Sequence, residues 1–209
     1  MRRTTQLSSG DFLKRYTIPL LGDEGLPLVA LKMMEDENKS CPFVTPDGCS
    51  IYENRPWSCR MYPIFPVSSN EEFLIEEKPS CLAVNDGKQW TIEKWRKEQG
   101  IDVYDKMSEP YKEITFNNYF QRGNKLDPEE TNLIYMSCYN LDEFKRFLFE
   151  TRFFDMHNVE KDAIERIMRD EEELLDFGYR WVRFNLFGEE TLRPKDTISR
   201  ELLPVKRED

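Results

Sequence analysis

The stretch CPFVTPDGCSIYENRPWSCRMYP, residues 41–63, holds three of the chain's five cysteines and four of its twelve prolines. Its apolar residues follow neither the 3.6-residue period of a helix nor the two-residue period of a strand. Such a segment carries too few bulky side chains to offset its ordering entropy by burial alone. We therefore expect a further anchor, and a metal bound by thiolates has the right magnitude to provide it.

The composition limits the kind of protein to which this stretch belongs. A chain of 209 residues with 39% hydrophobic content predicts a folded domain, alone or with an appendage. A net charge of −10 argues against nucleic acids and anionic membranes as general partners. No apolar run approaches the roughly 18 residues of a membrane span, and the opening MRRTTQLSSG does not resemble a secretion signal. We expect a cytoplasmic protein without a membrane segment.

The spacing of the cysteines is compatible with a metal site but does not require one. Seven residues separate Cys41 from Cys49, nine separate Cys49 from Cys59, and twenty-one separate Cys59 from Cys81. Four thiolates suit a tetrahedral zinc ion or a four-iron cluster. The paired C-x-x-C knuckles of zinc ribbons and the ferredoxin run are both absent. By spacing alone the metal interpretation is the weaker one, and the alternative is that these residues are buried thiols in a loop that docks on helices.

Two arginines flank Cys59. Four thiolates around zinc, or around an oxidised four-iron cluster, leave about two net negative charges, which Arg55 and Arg60 could offset. The alternative is that Arg55 pairs with Glu53 and that Arg60 is solvated.

Patterns in the first ninety residues predict a small mixed region. SSGDFLKRY (8–16) begins with a serine cap and predicts a short helix. LPLVALKMM (26–34) and EFLIEE (72–77) predict strands. The cysteine stretch then becomes an irregular excursion between these two strands.

Helical patterns dominate after residue 90. Thr91 caps a helix that Gly100 ends, residues 102–121 form a helix broken near Pro110, and Asp127 with Pro128 begins another. Two further patterns follow, one over residues 141–150 and one from about residue 161 to residue 187, where Gly188 ends it. The last residues are polar, and we expect them to fray.

Together these patterns predict an α+β fold that is mostly α. A small irregular Cys/Pro-rich subdomain with a short β-hairpin-like pair would pack on a helical C-terminal part. The predicted boundaries are 1–88 for the cysteine-cluster subdomain, 89–188 for the helical part and 189–209 for a polar tail.

The cysteine stretch also resembles the motif of the YkgJ-type cysteine-cluster family, whose members are described as zinc- or iron-chelating proteins. The resemblance lies in C-P-F, a turn ending in Gly and Cys, I-Y-E-x-R-P and C-R-x-Y-P, all between Cys41 and Pro63. It implies that Cys41, Cys49, Cys59 and Cys81 are metal ligands. The implied cofactor is an iron–sulfur cluster, with a 4Fe-4S cluster favoured, or zinc.

One part of the family pattern is missing. Members usually carry an earlier C-x-x-C-C group ahead of a segment resembling LSSGDFLKRY, whereas the first cysteine here is Cys41. We expect either a truncated start or a member that has lost part of its site. The same motif occurs in the flagellin lysine methylase family, although this sequence shows no nucleoside-binding glycine loop and no radical-enzyme cysteine motif.

Three other features have structural interpretations. His157 is the only histidine and reads as a cap or surface residue. Cys138 lies between apolar residues and reads as a buried core thiol. The acids at 170–173 point around a helix, so a solvated face is favoured over a cation site. No catalytic residue is predicted.

The function favoured by the sequence is metal binding through the cysteine cluster, serving metal or electron handling or supporting a binding surface. The alternative is a metal-free protein-interaction module with an acidic surface. A further alternative is a protein-lysine methylase-like enzyme. Whether the chain is an enzyme stays open at this stage.

Overall fold

The computed structural model describes residues 1–67, 72–75 and 88–195. The fold is mostly α with a small β part, as predicted. The longer helices are α2 (Ser9–Tyr16), α4 (Ile92–Gln99), α5 (Ile101–Thr115), α7 (Pro128–Cys138), α8 (Leu141–Glu150), α10 (Lys161–Arg169) and α11 (Glu171–Phe187). Shorter helical segments are α1 (Arg2–Thr5), α3 (Trp57–Met61), α6 (Asn118–Gln121) and α9 (Phe153–Met156). In the described ranges no helix is long and apolar enough to cross a membrane.

The chain begins with a helix and an antiparallel ribbon. The hydroxyl of Ser8 accepts the N–H of Asp11, which caps α2 as predicted. The strands β1 (Thr17–Leu21) and β2 (Pro27–Leu31) pair antiparallel over five residues. The predicted strand at 26–34 is confirmed over Pro27–Leu31. Its partner β1 was not predicted, because three apolar residues and a proline give it no alternating pattern.

The cysteine stretch was predicted to be an irregular excursion between two strands. It contains short regular elements instead. A hairpin joins β3 (Val44–Thr45) to β4 (Gly48–Cys49), a 3₁₀ turn covers Tyr52–Asn54, and α3 follows. The next strand, β5 (Ile64–Pro66), pairs with β6 (Phe73–Ile75). The strand predicted at 72–77 is thus confirmed over its described residues, but it pairs with β5 and not with the strand at 26–34.

The helix after residue 100 differs from the prediction. Thr91 caps α4 and Gly100 ends it with a left-handed backbone, as expected. The predicted break near Pro110 is wrong, because α5 continues through Pro110 to Thr115. A proline removes one hydrogen bond, but its fixed φ suits a helix, and the chain leaves the helix only at Phe116.

The predicted pattern from residue 161 to residue 187 divides into two helices. The apolar stripe is continuous, but Asp170 has an extended backbone and its carboxylate accepts the N–H of Glu172 at 2.7 Å. A carboxylate followed by three glutamates favours a new helix N-terminus at this point. The ends of the neighbouring helices are as predicted: Asp127 and Glu130 form a capping box on α7, and Gly188 ends α11.

The main core lies between α7, α8, α10 and α11. One cluster of buried side chains consists of Phe144, Leu148, Phe153, Ile167, Leu174, Phe177, Trp181 and Leu192. A second consists of Leu26, Ile114, Leu126, Ile134, Tyr179 and Val182. Leu192 shows that residues 189–195 pack on the helices instead of fraying, and Lys195 donates its backbone N–H to the carbonyl of Met156. The remainder of the predicted tail lies outside the described residues.

Two small clusters hold the first part of the chain. Phe12, Phe43 and Ile51 form one, against which Cys41 and Cys49 also pack. Met61, Ile64 and Ile101 form the other, which joins the cysteine stretch to α5. The hydroxyl of Ser9 also donates to Asn140 and accepts the N–H of Asp142, which ties α2 to the start of α8.

Candidate metal centre

Three of the four predicted ligands lie in one small region. Cys41 precedes β3, and Cys49 ends β4, where it pairs with Val44. Both side chains are partly buried against the cluster of Phe12, Phe43 and Ile51. Cys59 lies in the middle of α3 and is exposed. All three are free thiols. Cys81 lies outside the described residues.

The thiols of Cys41 and Cys49 influence that of Cys59 electrostatically. Burial of the thiol raises the pKa of Cys59, and the charges of Cys41 and Cys49 raise it further. A hydrogen bond with Ser58 and the positive charge of Arg55 act in the opposite direction. The uncharged form of Cys59 is therefore favoured, first because of burial and second because of the neighbouring thiols.

The thiols are near one another without forming a closed set of ligands. Over the described part of the chain, no group of three or more Cys, His, Asp or Glu side chains is arranged so that it could hold a metal ion. The donors nevertheless suit the metals in question, because thiolates are preferred ligands of zinc and of iron–sulfur clusters. The region thus offers three free thiols that influence one another electrostatically, of which Cys59 is exposed to solvent.

Arg60 fastens the cysteine stretch to the helices. Its Nε donates to the carbonyl of Arg55 at 3.0 Å and its Nη1 donates to the carbonyl of Gln99, at the end of α4, at 2.8 Å. Its Nη2 donates to the carbonyl of Glu53. The expectation of a solvated Arg60 is wrong, because the planar guanidinium satisfies carbonyls of two separate segments at once.

Arg55 also connects the cysteine stretch to the end of α4, through contacts different from those of Arg60. Its Nε donates to the carbonyl of Tyr52 at 2.9 Å, its Nη2 donates to Oε1 of Gln99 at 3.0 Å, and its guanidinium carbon lies 3.6 Å from the centre of the Tyr52 ring. Among the described residues no ion pair joins Arg55 to Glu53. The interpretation that these two residues pair is therefore not supported. Arg55 is the cation that acts on Cys59.

Three aromatic side chains also connect the cysteine stretch to α4 and α5, and these roles were not predicted from the sequence. Trp57 donates from Nε1 to Asp105 at 2.7 Å, and Trp95 donates from Nε1 to the carbonyl of Arg60 at 3.2 Å. The hydroxyl of Tyr104 donates to the carbonyl of Arg55 at 3.0 Å. We name these contacts, together with those of Arg55 and Arg60, the arginine–tryptophan latch. The sequence feature that could have indicated these roles is the presence, on α4 and α5, of aromatic residues that carry a hydrogen-bond donor, Trp95 and Tyr104.

The remaining candidates have structural roles. Nδ1 of His157 lies 3.0 Å from the carbonyl of Phe153, and its ring stacks on the Phe153 ring at a centroid distance of 4.3 Å. Cys138 packs in the second core cluster, and burial raises the pKa of its thiol to about 12.

The acids at 170–173 are exposed or partly exposed, in agreement with the predicted solvated face, and they also have structural roles. Asp170 caps α11, Glu171 pairs with Arg2, and Glu173 lies 3.3 Å from Arg166. They begin a helix and hold neighbouring side chains, which accounts for their positions without a cation.

One of three comparisons with known proteins gives a match, and that match covers the first part of the chain. A search of curated proteins finds no match, and neither does a search of solved structures. Residues 5–82 match the family model described as "CxxCxxCC: Putative zinc- or iron-chelating domain". This range contains Cys41, Cys49, Cys59 and Cys81, and the match confirms the resemblance to the YkgJ-type cysteine-cluster family.

Proposed function

We propose that the chain binds one metal centre through the thiolates of Cys41, Cys49, Cys59 and Cys81. The observation that supports this proposal is the match of residues 5–82 to a zinc- or iron-chelating domain, within which the charges of Cys41 and Cys49 act on the Cys59 thiol. We favour a 4Fe-4S cluster over zinc. The site requires reduced thiols, which is their state in a reducing compartment such as the cytoplasm.

The residues around the thiols suit a negatively charged centre. Four thiolates around zinc or an oxidised four-iron cluster leave about two net negative charges. Arg55 is the nearby cation, and its guanidinium is fixed by Tyr52 and Gln99. Cys59 lies exposed on a helix held by the latch, so the centre would lie at the surface. A surface centre suits metal or electron handling, or the support of a binding surface.

Anaerobic purification followed by metal analysis and absorption spectroscopy tests the proposal. A four-iron cluster is expected to give a broad band near about 400 nm together with iron and sulfide in the protein. Zinc in equimolar amount without this band would retain the proposed ligands but change the metal. A protein with neither the band nor zinc would overturn the proposal.

A metal-free interaction module is the second candidate, and the latch is the observation that favours it. Arg60, Trp57 and Met61 connect the cysteine stretch to α4 and α5 through contacts that involve no sulfur. The stretch therefore has an anchor that is independent of a metal. The acidic surface of the chain, whose net charge is −10, would then meet a basic partner protein.

Alanine substitutions distinguish the two candidates. If the thiols hold a metal, Cys49→Ala and Cys59→Ala should lower the midpoint of unfolding strongly in the metal-containing protein and only slightly after chelation. If the thiols are packing groups, both losses should be small and equal with and without metal. Cys138→Ala is the matched control, since its thiol lies in the helical core and its effect should not depend on metal.

A further inference from the structure

Arg55 carries a positive charge that no carboxylate pairs with in the part of the chain that the structure describes. Arg96, on the neighbouring helix α4, shows the contrasting arrangement. Its Nη2 lies 3.0 Å from a carboxylate oxygen of Asp102 and 2.7 Å from one of Asp105. The charge of Arg96 is therefore neutralised by its neighbours, whereas the charge of Arg55 stays available to other groups.

Neutral groups hold the Arg55 guanidinium in place. Its Nε donates to the carbonyl of Tyr52 at 2.9 Å, and its Nη2 donates to the side-chain amide oxygen of Gln99 at 3.0 Å. The Tyr52 ring covers one face of the guanidinium, since the guanidinium carbon lies 3.6 Å from the ring centre. A carbonyl, an amide and an aromatic ring carry no net charge. These contacts therefore fix the position of the guanidinium without neutralising it.

The charge of Arg55 reaches one of the proposed metal ligands. Arg55 lies two residues before the start of α3, and Cys59 lies in the middle of that helix. Burial, and then the thiols of Cys41 and Cys49, raise the pKa of Cys59, while the positive charge of Arg55 acts in the opposite direction. The fixed guanidinium therefore favours negative charge on the sulfur of Cys59.

Arg60, the other arginine beside Cys59, has a different role. Each of its three guanidinium nitrogens donates to a backbone carbonyl, those of Arg55, Gln99 and Glu53. The position of Arg60 is therefore explained by the backbone that it holds. The two arginines that flank Cys59 thus divide into one that fixes the chain and one whose charge acts on the thiol.

We propose that Gln99 and Tyr52 position Arg55 as an unneutralised charge beside the metal centre, and that this charge sets the affinity of the centre for its metal. The inference rests on the proposed function. Four thiolates with one zinc ion leave about two net negative charges, so a fixed positive charge beside them stabilises the metal-bound state. The neutrality of the Gln99 amide is part of the arrangement, because a carboxylate at this position would cancel the charge that it holds.

The zinc affinity of the full chain, reduced and titrated anaerobically in competition with a chromophoric chelator, tests the inference. Gln99→Glu strengthens the bond to Arg55, yet it should weaken zinc binding at least about fivefold because it neutralises the guanidinium. Gln121→Glu is the matched control, since it adds the same charge at the last residue of another helix, α6, and it should leave the affinity within about twofold. Unchanged affinity in Gln99→Glu, or an equal loss in both variants, would overturn the inference.

Variants of Arg55 separate its charge from its contacts. Arg55→Gln should weaken zinc binding at least about tenfold, whereas Arg55→Lys keeps the charge and should stay within about threefold of the original protein. The loss in Gln99→Glu should shrink to within about twofold in roughly 1 M salt, which screens charges. Equal losses in both Arg55 variants, with folding verified by circular dichroism, or a loss that salt does not reduce, would show a purely structural role.

The original protein distinguishes this inference from the proposed function. If it binds no zinc but carries an iron–sulfur cluster, only the inference about zinc affinity is overturned. If it carries neither, the proposed function is overturned together with it.

Discussion

The helical part and the cysteine stretch are stabilised in different ways. The helical part buries two clusters of large side chains, including Phe144, Phe153 and Phe177 with almost no exposed surface. The cysteine stretch contributes to two clusters of only three buried residues each. Its position depends instead on directed bonds from Arg55, Arg60 and Trp57. The loss of one polar contact should therefore destabilise the cysteine stretch more than the helical part.

The largest expected effect tests how tightly the helical part is packed. Gly178 on α11 lies against the backbone of α7, and a Cβ there would collide with the carbonyl oxygen of Ser137 and come within 3.3 Å of the Phe144 ring. Since backbone must move to admit it, Gly178→Ala should lower the free energy of unfolding by at least about 3 kcal/mol. Denaturant unfolding measures this loss.

Gly22→Ala is the control, because its nearest neighbour would be 3.6 Å from the added Cβ and its φ is not positive. We expect a change within about 0.5 kcal/mol for this variant. An equal loss in both variants would contradict the close approach of α7 and α11.

The next largest effect is expected at alkaline pH, which should lower the free energy of unfolding. The pKa of Cys138 rises from 9.0 to about 12 on folding, because its thiol is buried. Its contribution is fully present below the unfolded pKa and is lost as pH rises toward the folded pKa. The free energy of unfolding should fall by roughly 2 to 3 kcal/mol between about pH 9 and about pH 11. Burial also raises the pKa of Tyr111 and Tyr179, which adds to the loss.

Cys138→Ala isolates the share of the thiol. The variant starts from a lower stability but should lose less of it over the same pH range, when measured by denaturant unfolding at each pH. A pH slope identical to that of the original protein would show that the Cys138 thiol is not protected from ionisation.

Arg60 variants test the latch directly. Arg60→Met leaves the carbonyls of Glu53, Arg55 and Gln99 without their donor and should cost about 1 to 3 kcal/mol. Arg60→Lys keeps the charge but lacks the planar fork, so it should lose most of the same stability. Hydrogen exchange should quicken across residues 41–63 and remain slow in α11. If Arg60→Lys retained full protection, charge rather than geometry would be the basis of the contact.

The smallest expected effect concerns a single side-chain bond. Trp57→Phe keeps the aromatic ring but removes the donor to Asp105, which should cost about 1 kcal/mol. A double-mutant cycle with Asp105→Ala isolates this bond, because Asp105 also pairs with Arg96. A coupling energy near zero would indicate that Trp57 acts only by packing.

The predictions from sequence succeeded where a feature is local. Ser8, Thr91, Asp127 and Gly188 mark helix ends because the chemistry of a cap lies within a few residues of the end. The short elements of residues 41–63 escaped prediction because a two-residue strand or a five-residue helix has no period to detect.

The roles of the arginines also lay beyond the sequence. Their acceptors are backbone carbonyls, which every residue carries, so no residue type marks the partner of Arg60. The neighbourhood of Cys41, Cys49 and Cys59 was predicted only through the family resemblance, since their spacing alone left two interpretations open.

The bond from Arg60 to Gln99 has a mechanical consequence. Arg60 directly follows Cys59, and the Gln99 carbonyl directly precedes Gly100, whose left-handed backbone turns the chain from α4 into α5. A displacement of the backbone of α3 at Cys59 would therefore be felt first at the bond between Arg60 and Gln99, one residue before the turn at Gly100. The surroundings of the Cys59 thiol and the turn between α4 and α5 thus share one hydrogen bond.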